Sequence, residues 1–190
     1  MTLIKINGIT EPPQADWLNE IAPNYVGFRF AENCQNCVAP PVAADIRAAL
    51  DSSISSVGIF RDQPGGLILE LHRRGVIGTA ELDGDETENY IIKLRDIGHM
   101  PIFKLYPLSM HADIMMAARC PADILILKMH NPENLSWDDL PQHFRPYIMH
   151  TEQTPEAVAE AAAKYKPFCI ELEMQDDLLK MNELVAAARG

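Results

Sequence analysis

The stretch Leu3-Ile4-Lys5-Ile6-Asn7-Gly8-Ile9-Thr10 alternates apolar and polar residues, then meets a glycine where the chain must turn. Side chains alternate across a strand, so Lys5 and Asn7 share one face. Gly8 permits the tight exit. If this strand opens a barrel of parallel strands, the Lys5 and Asn7 face looks inward. Asn7 then stands at the C-terminal rim, where such barrels place their chemistry.

The same pattern recurs along the chain. Further strands are predicted at 26–30, 56–60, 76–82, 102–106, 123–127, 147–149 and 168–172. Between them, apolar residues recur at helical spacing, as in Trp17-Leu18-Ile21, Val42-Ile46-Leu50, Leu67-Ile68-Leu71 and Tyr90-Ile91-Leu94. Helices are also expected near 112–118, after Thr154 as a capping residue, and around Leu178, Met181, Leu184 and Val185, with a short turn at Trp137 and Leu140. Trp17, Met110, Met115 and Met116 read as packing residues. Strict alternation argues for parallel strands, and eight strand–helix units of roughly 22 to 25 residues argue for closure. The expected fold is α/β, a single (βα)8 TIM barrel, as one domain over 1–190.

Acidic residues number 27 against 16 basic, a formal net charge of −11. That disfavours nucleic acid and anionic membranes as partners and leaves a small polar molecule as the expected ligand, for a monomer or homodimer. No apolar run is long enough for a membrane span and no leader pattern precedes the first strand, so the expected location is cytoplasmic, with reduced thiols. Cys34-Gln35-Asn36-Cys37 has redox-motif spacing, but Val38-Ala39-Pro40-Pro41 separates it from the next helix. Both cysteines are read as ordinary loop residues, and no second such pair exists to complete a zinc site. No cofactor and no metal are predicted.

Lys5-Ile6-Asn7-Gly8-Ile9-Thr10 resembles the KICGIT opening of the phosphoribosylanthranilate isomerases, barrel enzymes of tryptophan biosynthesis. Gly27-Phe28-Arg29-Phe30, Val57-Gly58-Ile59-Phe60, Glu81-Leu82-Asp83-Gly84, Trp137 and Thr154-Pro155-Glu156-Ala157-Val158 are similar to later motifs of that family, in order and at matching spacing. The resemblance implies an Amadori rearrangement that uses a base, an acid and a grip on phosphate. At the position of the family's cysteine base stands Asn7. The aspartate acid ending the sixth strand is replaced by Lys128, or by Leu127 if the register slips by one. The arginine that would hold the anthranilate carboxylate corresponds to Asn36.

Glycine-rich turns that hold the phosphate in the family correspond here to Met129-His130-Asn131-Pro132, Thr151-Glu152-Gln153 and Glu173-Met174-Gln175. A like charge about 5 Å from a phosphate oxygen opposes binding by roughly 3 kcal/mol at an effective dielectric of about 20. The first expectation is therefore a relative without isomerase activity, with a remodelled charged pocket. A divergent active isomerase using Asp83 or Glu81 as base, with Lys128 neutralising the phosphate, is the second. A non-catalytic interaction partner is the third.

Candidates for the pocket are Lys5, Arg29, Asn36, Glu81, Asp83, Lys104, Lys128, His130, His150, Glu152, Glu171 and Glu173, placed near or inside the mouth. They read either as a ligand site, with Lys104 or Lys128 as a candidate amine nucleophile, or as charges paired with one another. Asp83, His130, His150, Glu152 and Glu173 have metal-binding chemistry but no tight ligand spacing.

Overall fold

The computed structural model describes residues 2–31, 34–130, 133–141, 144 and 146–190. Eight parallel strands close into a barrel in sequence order. They are β1 (Leu3–Asn7), β2 (Tyr25–Arg29), β3 (Ser55–Phe60), β4 (Thr79–Leu82), β5 (Ile102–Leu108), β6 (Ile124–Met129), β7 (Tyr147–His150) and β8 (Cys169–Glu173). The surrounding helices are α1 (Gln14–Ile21), α2 (Pro40–Ala49), α3 (Gly65–Arg73), α4 (Glu88–Gly98), α5 (His111–Arg119), α6 (Pro155–Glu160) and α7 (Leu178–Arg189). The expected barrel is thus observed. Among the described residues the sixth unit departs from the pattern, with one short turn, Trp137–Asp139, in place of a helix.

The closing seam fixes what faces what. Lys5 pairs with Glu171, and Asn7 with Glu173, across β1 and β8. On the other side Asn7 meets Gly27 of β2. Farther round, Lys128 lies beside His150 and His150 beside Glu171. The lower interior is apolar, packed from Val57, Phe103, Ile126, Ile148 and Cys169. Alternate residues such as Ile4, Ile6, Val26 and Phe28 face the helices and join the outer core. The period-two alternation of the opening stretch therefore separates a polar interior from an apolar exterior.

Two local expectations change. β4 starts at Thr79 rather than Val76, because Gly75 leaves α3 in a left-handed conformation (φ +71°) and the Val76 N–H returns to the Leu71 carbonyl. Val76 and Ile77 are buried as a helix-exit segment, not as ladder residues. On α5 only Ile114 and Ala117 turn inward, and Met110, Met115 and Met116 are more than half exposed rather than packed. Trp17 is half-buried and packs against the core as expected.

Gly27 is required by its neighbour. A Cβ there would lie 2.0 Å from Asn7 Oδ1 and 2.9 Å from Ile59 Cδ1. Gly27→Ala is expected to lower stability by about 1–3 kcal/mol through overpacking. Adding Asn7→Ala should recover most of that loss in urea unfolding, since the clashing amide is then gone; no recovery would place the strain elsewhere.

Candidate functional site at the barrel mouth

The polar interior is organised around Lys5, which is fully buried. Its ammonium stands 2.5 Å from Glu81 Oε2 and 2.5 Å from Glu171 Oε2. Burial opposes its charge, but Glu171 and Glu81 outweigh burial and raise its pKa above the ordinary lysine range. The two carboxylates share one cation unequally. Burial also works against Glu171, yet Lys5 and a hydrogen bond from His150 hold it well below the ordinary carboxylate range. Glu81 moves the opposite way, raised chiefly by burial and further by Glu171 and Asp83, with Lys5 offsetting only part. Asp83 is raised as well, first by burial and then by Glu171. Glu81 and Asp83 thus both lean toward the protonated carboxyl, each disfavoured as a charge by burial and by Glu171.

Above this layer a cavity of about 600 Å³ opens at the C-terminal mouth, and Arg29, Asn36, Asp83, Lys128, His150 and Glu173 are among its lining. The interior has not filled with paired charges: Lys5, Glu81 and Glu171 lie beneath a pocket that remains. Arg29 Nη2 donates to Glu173 Oε1 at 2.5 Å across the mouth. Lys128, not Leu127, faces the cavity; Leu127 is buried among the outer core residues. Lys128 is half-buried and has no salt-bridge partner among the described residues. Two buried acceptors there, Asn7 Oδ1 and Asp83 Oδ1, have no hydrogen-bond partner among the described residues.

At the ends of β7 and β8 glutamine side chains engage the backbone. Gln153 Oε1 accepts the Glu173 N–H at 2.7 Å, while its amide donates to the carbonyls of Thr151 and Glu171. The Gln175 side chain donates to the Glu173 carbonyl. Thr154 Oγ1 accepts from Ala157 at the start of α6, and Asp177 Oδ1 accepts from Leu179 at the start of α7. Helix N-termini bind anions through free N–H groups. Here a side chain of the chain itself occupies one N–H at each of these helix starts.

Four predicted site residues fall outside this arrangement or on its edge. Lys104 faces the helices, because Phe103 and Leu105 take the inward positions of β5. Its ammonium donates to the carbonyls of Leu82, Gly84 and Leu105 and lies 3.3 Å from Glu86. That makes it a structural clamp, and excludes it as a nucleophile for the mouth. His130 is exposed beyond the end of β6 and outside the mouth lining. Of the loop that follows, Asn131 and Pro132 lie outside the described residues. Glu152 is exposed and lines a separate cavity of about 470 Å³ beside Trp137 and Tyr165. Asn36 is exposed at the rim in a left-handed conformation, φ 55°.

The cysteine expectation is corrected outright. Cys34 and Cys37 form a disulfide, their loop bringing the Cα atoms to 5.5 Å, within bridging reach. Cys34 lies in the mouth lining, so the crosslink borders the cavity. For a metal, His150, Glu171 and Glu173 bring ligand atoms within 4.8 Å of one another. Lys5 and Arg29 already neutralise the two carboxylates and Glu171 already binds His150, so we assign no metal there. No helix among the described residues is long and apolar enough to cross a membrane.

Three contributors escaped the sequence reading. Gln153 reads as a lost glycine, yet it closes the β7–β8 gap. Arg61, exposed after β3, adds a cation to the mouth. Glu86 pairs with Lys104 and accepts the Asp62 and Gly84 N–H groups. None of the three carries a spacing signal, since each acts on a residue distant in sequence.

No family model matches the chain. Its relatives include the N-(5'-phosphoribosyl)anthranilate isomerase of Endomicrobium trichonymphae, 27% identical with 100% of both chains covered. That of Geobacter sulfurreducens is 26% identical over the same full coverage. Among solved structures, the Thermus thermophilus phosphoribosylanthranilate isomerase superposes with a TM-score of 0.85 at 25% identity, covering 99% of this chain and 98% of the other. Curated relatives and solved structures alike point to one family, the phosphoribosylanthranilate isomerases.

Proposed function

We propose that this barrel does not rearrange phosphoribosylanthranilate and instead receives a small polar ligand without phosphate at its mouth. One observation carries this reading: at the end of β8 a backbone donor and the nearest guanidinium are already engaged from within. Gln153 holds the Glu173 N–H, and the Glu173 carboxylate occupies Arg29. A dianionic phosphate entering there meets a carboxylate and finds no free backbone donor at Glu173. The general base and general acid are missing as well, with Asn7 and Lys128 in their places, and each such group is worth about 10²- to 10⁴-fold in rate. The biosynthetic setting of the relatives supports a cytoplasmic location.

The Glu81–Asp83 pair favours a second reading. A carboxylate with a raised pKa beside the mouth could take the part of the missing base, with Lys128 meeting the phosphate. A tryptophan auxotroph lacking its isomerase separates the two. We expect no growth without tryptophan when this chain is expressed, and growth would sink the first reading.

A further inference from the structure

We propose that His150 is a general base acting on a small carboxylic acid bound at the mouth, with Glu171 and Lys5 as its positioning residues and Lys128 as the receiver of the substrate carboxylate. This inference rests on the phosphate-free ligand proposed above and adds its class and its chemistry.

His150 Nδ1 lies 2.8 Å from Glu171 Oε1. Glu171 is buried and ionised, and a carboxylate can only accept, so Nδ1 carries the hydrogen. That fixes the tautomer and leaves the lone pair on Nε2. Nε2 has no hydrogen-bond partner among the described residues, and His150 lines the 600 Å³ cavity. Glu171 is itself held, through its second oxygen, by Lys5 at 2.5 Å. An oriented imidazole with its other nitrogen on a fixed carboxylate is how a general base is kept in working geometry.

The cavity also dictates what enters. Lys128 is a half-buried cation of its lining with no salt-bridge partner among the described residues, beside His150 in the β6–β7 register, while Arg61 stands exposed at the rim. Arg29 is already engaged by Glu173. The ammonium beside His150 suits a carboxylate, and the engaged Glu173 N–H and the Glu173 carboxylate disfavour a phosphate. On the β4 side, Asp83 faces the same cavity, and its Oδ1 has no hydrogen-bond partner among the described residues.

The step that these groups support is proton transfer next to a carbonyl. Nε2 removes a proton from carbon, and the C–H electron pair becomes the carbon–carbon π bond of an enol. The carbonyl oxygen receives a proton from the carboxyl of Asp83, which faces the cavity. Returning a proton from His150 to carbon and one from the oxygen to Asp83 gives an isomer or an epimer. No oxidant, reductant or co-reactant is consumed.

Bromoacetate and bromoacetamide test this without knowledge of the natural substrate. The Nε2 lone pair forms the N–C bond as the C–Br bond breaks and bromide leaves, and Nδ1 keeps its hydrogen. We expect mass spectrometry of the intact-fold reaction to find His150 alkylated at Nε2, roughly tenfold faster by the anionic reagent than by the neutral one, the factor that one nearby cation supplies. Lys128→Ala should bring the two rates together. Glu171→Gln should slow both and spread the label to Nδ1, a change of site that a merely structural role would not produce. Equal rates in the unaltered protein, labelling of other residues only, or a charge preference that survives Lys128→Ala overturns the proposal. Lys128 bridges no buried partner, so that variant remains informative if Glu171→Gln does not fold. Growth of the auxotroph would remove the underlying reading; a missing alkylation pattern without growth removes only this inference.

Discussion

Replacing Lys5 by methionine is expected to lower the stability of this barrel by about 3–5 kcal/mol, the range for removing one partner of a buried ion pair. Methionine matches the volume of the lysine stem, so little cavity is created and packing is nearly kept. What is lost is the cation that stands 2.5 Å from both Glu81 and Glu171. Glu171 would then hold its charge with His150 alone, in an interior that does not solvate it. Since whole domains are stable by only about 5–15 kcal/mol, the variant should unfold at far lower urea concentration. A triple variant that also carries Glu81→Gln and Glu171→Gln should regain part of the loss, because no uncompensated charge remains. A loss below about 1 kcal/mol for Lys5→Met would show that water reaches this layer.

Raising the pH should destabilise the protein, with Glu81 as the main cause. Its pKa is raised above 4.5 in the folded state, so above that ordinary value the unfolded chain releases a proton that the folded chain retains. Stability from such a group is full below the unfolded pKa and is lost as pH climbs toward the folded one. The slope approaches about 1.4 kcal/mol per pH unit over that window. Asp83 shifts in the same direction and adds to it. Glu171 has the reverse sign: its contribution is present above the ordinary carboxyl range and disappears as pH falls toward its lowered value. Stability should therefore peak in mildly acidic solution. Glu81→Gln should flatten the alkaline decline and exceed the unaltered protein at pH 8. Urea midpoints measured at several pH values check both statements, and a variant curve parallel to the original would refute the assignment.

The barrel was legible because its code is local. Alternation in Leu3 to Asn7, the Thr154 cap and the helical stripes each follow from neighbours within a few residues. The placing of Lys5, Asn7, Arg29, Glu81, Asp83, Lys128, His150, Glu171 and Glu173 in the interior or at the mouth follows from the same period of two. Lys104 was misplaced because one position along β5 moves a side chain to the opposite face. Pair partners were not legible at all. That Lys5 meets Glu171 rather than Glu173, or that Gln153 reaches the Glu173 N–H, depends on strand stagger, which no local pattern encodes.

Gln153 gives this barrel a history that is hard to run backwards. It supplies a side-chain rung between β7 and β8 beyond their last paired residues, His150 and Glu171. Substituting glycine there first strands a backbone donor and two carbonyls, before any anion can be held. Exchanging Glu173 alone frees Arg29 but leaves the amide still occupied. Each single step toward an anion cradle thus weakens the barrel without yielding the cradle. Two positions on separate loops, Gln153 and Glu173, would therefore have to change together for this seam to open.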